Sequence, residues 1–160
     1  MTIDSFRGSF EDLARPNRFK VILSRLGGSL EFLCKAAAAP AMTVGPVDVN
    51  YQGRIVKIAG DRTYADWAIT VYGATDYNIY RSLKNWSDQI NDPRSNTSAV
   101  PAAYKEMATV HQLDRNNSPA YTWNLDSVWP TEVGQIDFDW GTNDTPLEFT
   151  ATFAFDFMTS

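Results

Sequence analysis

The chain has 160 residues, 44% of them hydrophobic and 21% charged, and a formal net charge of -5. That length suits one domain, 1–160, with a buried core, and the composition excludes a wholly disordered chain. The acidic balance excludes a broad phosphate-binding surface, because like charge repels the nucleic-acid backbone.

The charge is uneven. Asp126, Glu132, Asp137, Asp139, Asp144, Glu148 and Asp156 lie in 116–160, a stretch without Lys or Arg. Such a one-signed third gives either a negative face or channel in an oligomer, or a solvated acidic surface. The one cysteine, Cys34, excludes an intrachain disulfide and favours assembly in a reducing cytoplasm. The first residues lack the apolar core of a signal peptide, and no apolar run reaches the roughly 18 residues of a membrane-spanning helix. The expectation is a soluble chain with no membrane partner.

Residues 1–17 mix Gly, Pro and charge without a period and read as an N-terminal arm, with Phe6, Phe10 and Leu13 able to dock it. Phe19 to Leu23 gives a first strand, and Gly27-Gly28 a turn. Phe32 to Pro40 is short, small and apolar, with Pro40 blocking a longer helix, and reads as a connector that packs closely. Val47, Val49 and Tyr51 alternate with Asp48, Asn50 and Gln52, the period of a half-buried strand. The parity switches beyond Gln52-Gly53, where Val56 and Ile58 flank Lys57, as a hairpin or bulge produces. Trp67 to Tyr72 adds another strand.

Ile79, Leu83, Trp86 and Ile90 form one helical stripe within 75–91. Thr75 is placed to cap it, Asp76 to suit its positive end, and Asp92-Pro93 to end it. Four further strands are expected: over 107–115; at Tyr121, Trp123 and Leu125; at Ile136, Phe138 and Trp140; and as one unbroken run from Leu147 to Phe157. The pattern is mainly β: an antiparallel β-barrel or sandwich with one flanking α-helix.

Chemistry is sparse. The one histidine, His111, sits in an expected strand, and nucleophilic triads require a histidine. One Cys and one His do not make a zinc site, and no phosphate-binding glycine loop occurs. Asp137 and Asp139 share an expected strand face, where a glycosidase pair or ordinary solvated acids are the alternatives. Asp48 with Asn50, and Asp137 with Asp139, lack the glycine and distal Glu of a calcium loop. No catalytic residue, metal or cofactor is assigned. Trp86, Trp123 and Trp140 read as core, whereas Trp129, beside Pro130, reads as a turn residue.

The segment from Val110 to Pro130, with Leu113-Asp114-Arg115 and Val128-Trp129-Pro130, resembles the tail tube protein family of contractile-tailed bacteriophages. Asn17-Arg18-Phe19, the Cys34-Lys35-Ala36-Ala37 connector before Pro40 and the closing Phe153-Ala154-Phe155-Asp156 add to the likeness. The order of elements matches along nearly the whole chain. The resemblance implies a structural subunit rather than an enzyme: six copies in a ring, rings stacked into a tube, and inner strands of neighbours joined around a channel. It further implies a sheath around the tube, a tape-measure protein within it, baseplate and tail terminator proteins at its ends, and DNA passing without specific binding. The particle would be a virion tail assembled in the host cytoplasm.

On this reading Asp48, Asn50 and Gln52 face the lumen, or else an ordinary outer surface. Lys35, Ala36, Ala37, Pro40, Met42, Gly53 and Arg54, within the connector 35–40 and the hairpin 42–62, meet neighbouring subunits or rings. Two rival readings remain: a tube that delivers protein effectors, and a carbohydrate-binding sandwich with Trp129 and Tyr121 as its platform.

Overall fold

The architecture is that of a computed structural model, which describes residues 3–8 and 13–160. In chain order the elements are α1 (Ile3–Gly8), β1 (Phe19–Leu23), a 3-10 turn (Ser24–Leu26), α2 (Leu30–Leu33), β2 (Cys34–Ala37), β3 (Met42–Tyr51) and β4 (Arg54–Tyr64). They continue with β5 (Trp67–Tyr72), α3 (Asn78–Ile90), α4 (Pro101–Tyr104), β6 (Glu106–Leu113), β7 (Pro119–Val133), β8 (Glu148–Ala154) and β9 (Phe157–Thr159). The side chain of Phe6 and all of Phe10 lie outside the described residues, and Leu13 is exposed.

The main sheet runs β1-β6-β7-β8-β5-β2, with β9 also on β7, and every pairing in it is antiparallel. Its end strands β1 and β2 do not pair, so the sheet is open. The closed-barrel alternative is thereby corrected for the single chain. Long β7 is the reason. Its first part pairs with β6 and β9, its last part with β8. Between them Ser127 holds a left-handed φ of 61°, and the β6–β7 register slips between Glu106 and Ala108. One extra residue in a ladder bends a strand and sharpens its twist. Trp129 and Pro130 are therefore strand residues and not a turn. Proline's missing N–H is accommodated where the β7–β8 register shifts again, between Pro130 and Glu132.

Amphipathic α3 contributes Ile79, Leu83 and Trp86 to the core, and Ile90 packs against it. The helix starts later than the stripe suggests: Tyr77 occupies its cap position with a left-handed φ of 51°. Thr75 makes no cap bond; the Asp76 carboxylate instead accepts from the Asn78 N–H at 3.2 Å. Among the described residues three short helices, α1, α2 and α4, join α3, where one helix was expected. The core is completed by alternating residues of β5 (Trp67, Ile69, Val71) and β8 (Phe149, Ala151, Phe153). Arg25 ties the helical layer to the sheet. Its guanidinium lies over the Trp86 ring at 5.2 Å and donates to Glu106 and to the Ala103 carbonyl.

Two expected strands fail. The Leu147–Phe157 run breaks at Phe155 and Asp156, where the Asp156 N–H donates to the Asp126 carbonyl at 3.0 Å and the chain crosses to the other half of β7 as β9. Ile136, Phe138 and Trp140 form no strand. The Gly134 N–H makes the last bond to β8, at 2.7 Å to the Thr150 carbonyl. A Cβ at Gly134 would meet that carbonyl oxygen at 2.4 Å, so only glycine allows the approach. Beyond it Asp139 accepts from the Gly141 N–H and the Thr142 hydroxyl, turning the chain. Trp140 is consequently 100% exposed, not core.

Strands β3 and β4 pair only with each other, outside the main sheet. Their turn is Gln52-Gly53, both at positive φ (45° and 79°), the backbone that a two-residue hairpin needs to match the strand twist.

Candidate assembly surface

The hairpin register sorts its side chains. Val47 stands opposite Ile58, and Val49 opposite Val56, so these four share one face. Asp48 stands opposite Lys57, and Asn50 opposite Ile55, on the other face. Gln52 belongs to neither, being in the turn. The structure thus brings together two of the three expected lumen residues, in a face where Lys57 balances Asp48.

Alternation in this segment led to the expectation of a half-buried strand. In the single chain both faces are open: exposure runs from 43% at Val49 to 67% at Tyr51, with Met42, Val44, Ile55, Val56 and Ile58 within that range. A two-stranded ribbon alone in water is marginal, and a contiguous exposed apolar face marks a contact surface. Met42, Gly53 and Arg54 are all exposed, Met42 on the Asp48 side of β3, Gly53 in the turn and Arg54 opposite Tyr51.

The connector is different. Cys34–Ala37 is itself a strand, the end of the main sheet, paired with β5. Pro40 is buried and Ala37 packs on the core, while Lys35 and Ala36 are exposed. The Lys35 ammonium donates to both Glu148 oxygens at 2.7 Å. That hydrogen bond holds the Lys35 pKa above its ordinary value. Burial pushes the Cys34 thiol up to about 11, offset in part by its contact with the Ala36 backbone, so it is a poor nucleophile. The β1 and β2 edges of the main sheet are edges that a further strand can pair with, and the hairpin's apolar face is a surface that a further element can pack against.

The residues considered for chemistry do not converge. His111 Nδ1 and the Thr122 hydroxyl are 2.8 Å apart across β6 and β7. Asp137 accepts from Gln135, and hydrogen bonds from Gly141 and Thr142 hold the Asp139 carboxyl below the usual range. Among the described residues no group of three or more His, Cys, Asp or Glu is placed to hold a metal ion. No described helix is long and apolar enough to cross a membrane. Trp129 meets the Tyr104 ring edge-on and packs on the core, whereas Tyr121 stacks near Trp123 at 4.7 Å.

Comparison with known proteins decides the family. Residues 8–159 match the model of the phage tail tube protein family. The chain belongs to that family. It is 35% identical to the tail tube protein gp19 of Enterobacteria phage T4, with 98% of this chain and 99% of that protein aligned. The tail tube protein of Serratia phage KSP90 is 28% identical over 93% of this chain and 91% of its own length. Among solved structures, a chain of the anti-feeding prophage baseplate, six-fold symmetrised, superposes with a TM-score of 0.70 at 14% identity. That match covers 94% of this chain and 96% of the other. A chain of the sheath-tube complex of an extracellular contractile injection system gives 0.66 at 18% identity, over 97% and 95%. At such identities these two matches speak for a shared fold.

Sequence reasoning missed the first part of the loop 134–147, residues 134–140, where Phe138 and Trp140 stand exposed. The signal was present: Gly134, Gly141 and Pro146 punctuate it as turn residues do.

Proposed function

We propose that this chain is the non-enzymatic subunit of the inner tube of a contractile phage tail, built from six-membered rings stacked into a hollow conduit. The carrying observation is the β3–β4 hairpin, whose apolar face is unaccompanied within a member of the tail tube family. In a ring each hairpin lies against its neighbour and buries that face, and the exposed sheet edges pair between copies. Six-fold symmetry in the baseplate of matching fold supports the ring size. Asp48 and Asn50 line the lumen, and Lys35, Ala36, Met42, Gly53 and Arg54 lie at contacts between subunits or rings.

The acidic chain suits a conduit that must release DNA, since a surface of like charge does not hold phosphate. A sheath outside, a tape-measure protein inside, and baseplate and terminator proteins at the ends complete the machine, assembled in the host cytoplasm. Identity of 35% to a phage tail tube protein favours DNA over protein effectors as cargo. Negative-stain electron microscopy of the purified chain, with its mass in solution, tests the reading. Six-fold rings or hollow tubes are expected. A chain that stays monomeric at high concentration, even with baseplate seeds, overturns it.

A further inference from the structure

Two features at opposite ends of β7 complement each other. After its last residues, the loop 134–147 presents Phe138 at 78% and Trp140 at 100% exposure. Asp137, Asp139 and Asp144 surround them, and all three are exposed. Before its first residues lies a groove with a cavity of about 120 Å³, whose lining includes Leu13, Arg15, Arg18, Leu113, Asp114 and Arg115. The groove is built and not accidental. Gln112 Nε2 donates to the Arg15 and Arg18 carbonyls at 2.8 Å each, the Leu113 N–H to the Arg18 carbonyl at 2.9 Å, and Arg18 to the Asp114 carbonyl at 2.9 Å. Those bonds pin the segment before β1 onto the tip of β6 and β7.

The fifteen residues of β7 separate the two features by roughly 50 Å along the strand, less its bend. One end is aromatic and acidic; the other is apolar and carries three arginines against one acid, Asp114, whose carboxylate is taken up by the Asn116 and Ser118 N–H groups. Fully exposed tryptophan is uncommon without a partner, and aromatic anchors seated in pockets dominate interface energies. A knob and a hole at opposite ends of one chain cannot satisfy each other within it. Between copies they form a heterologous, head-to-tail contact, the kind that closes rings or extends stacks.

We propose that the Phe138–Trp140 loop of one subunit seats in the Arg15–Arg18–Leu113 groove of the next. This rests on the chain polymerising as argued above, and assigns one contact within that polymer. Opposite charge orients the loop, and the Trp140 ring fills the apolar floor beside Leu13 and Leu113.

Disulfide trapping tests it. In a Cys34→Ala background, Trp140→Cys and Arg15→Cys chains are prepared separately, mixed under assembling conditions and oxidised. Cross-linked pairs are expected in the mixture and not in either chain alone, and a chain with both substitutions should give a covalent ladder. Trp140→Ala should raise the concentration needed for assembly by roughly tenfold or more, the loss expected of an aromatic anchor. Circular dichroism of each variant shows that the subunit is folded. Tubes without cross-links in the mixture, or equal cross-linking in one chain alone, overturn the contact while leaving the tube intact. Failure of the unsubstituted chain to assemble overturns both.

Discussion

The main sheet and the β3–β4 hairpin use the same alternating pattern to opposite ends. In β5 and β8 the apolar positions Trp67, Ile69, Val71, Phe149, Ala151 and Phe153 are buried under α3. In the hairpin Val47, Val49, Val56 and Ile58 alternate as cleanly and stand 43–55% exposed. Period-two patterning says that a face will be buried; it does not say by what. On the proposed reading one region is amphipathic for folding and the other for assembly, and substitutions should separate the two.

The largest effect is expected in the core. Leu83 is fully buried on α3. Leu83→Ala should cost about 3 kcal/mol from lost contacts and the cavity left behind. By urea or thermal unfolding the subunit should lose stability before any assembly defect is seen. A loss below about 1 kcal/mol would mean that α3 is loosely held on the sheet.

The hairpin should answer in the reverse sense. Val49→Asp places a charge where Val49 is already 43% exposed, so stability of the free subunit should move by no more than about 0.5 kcal/mol. Ring or tube formation, followed by sedimentation, should be lost, because an unpaired charge would be buried at the contact. A fall in unfolding midpoint comparable with that of Leu83→Ala would show instead that the face is packed within the free subunit, and would erase the distinction.

This contrast also explains what is legible in the chain before it folds. The α3 stripe, β1, the hairpin turn at Gln52-Gly53 and the β8 face all follow from local periodicity, and local periodicity is what a sequence displays. The bend at Ser127 does not, because nothing in a serine announces a left-handed φ that only the competing claims of β6, β8 and β9 on β7 require. That one bulge explains why the sheet is open, why the closing run breaks at Asp156 and why Trp129 lies in a strand. Trp140 departs from its expected core position for a related reason: Ile136, Phe138 and Trp140 alternate, but beyond Gly134 no strand lies beside them. Of the assembly surface, the hairpin is legible. The burial of Pro40 is not, since it depends on tertiary neighbours.

The smallest expected effect is electrostatic and lies outside the hairpin. Asp156 starts the crossing from β8 to β9, and its carboxylate accepts from Lys105 Nζ at 2.6 Å. That hydrogen bond holds its pKa below the ordinary value. A folded-state pKa below the unfolded one means that the stabilisation is fully present above the unfolded value, near about 3.9, and is lost as pH falls through the folded value. The group is largely solvated, so the effect is small and screened by salt. Asp156→Asn should therefore be slightly less stable than the unsubstituted chain at about pH 6, and the gap should close as the pH is lowered through the folded-state value, where the Asp156 carboxyl becomes neutral. Because β9 is anchored here and the hairpin is not, amide exchange should quicken in 157–159 and stay unchanged in 42–64. A gap that stays the same size down to the acid limit of folding would mean that the substituted amide fails sterically at the crossing, and that β9 is held by shape and not by charge.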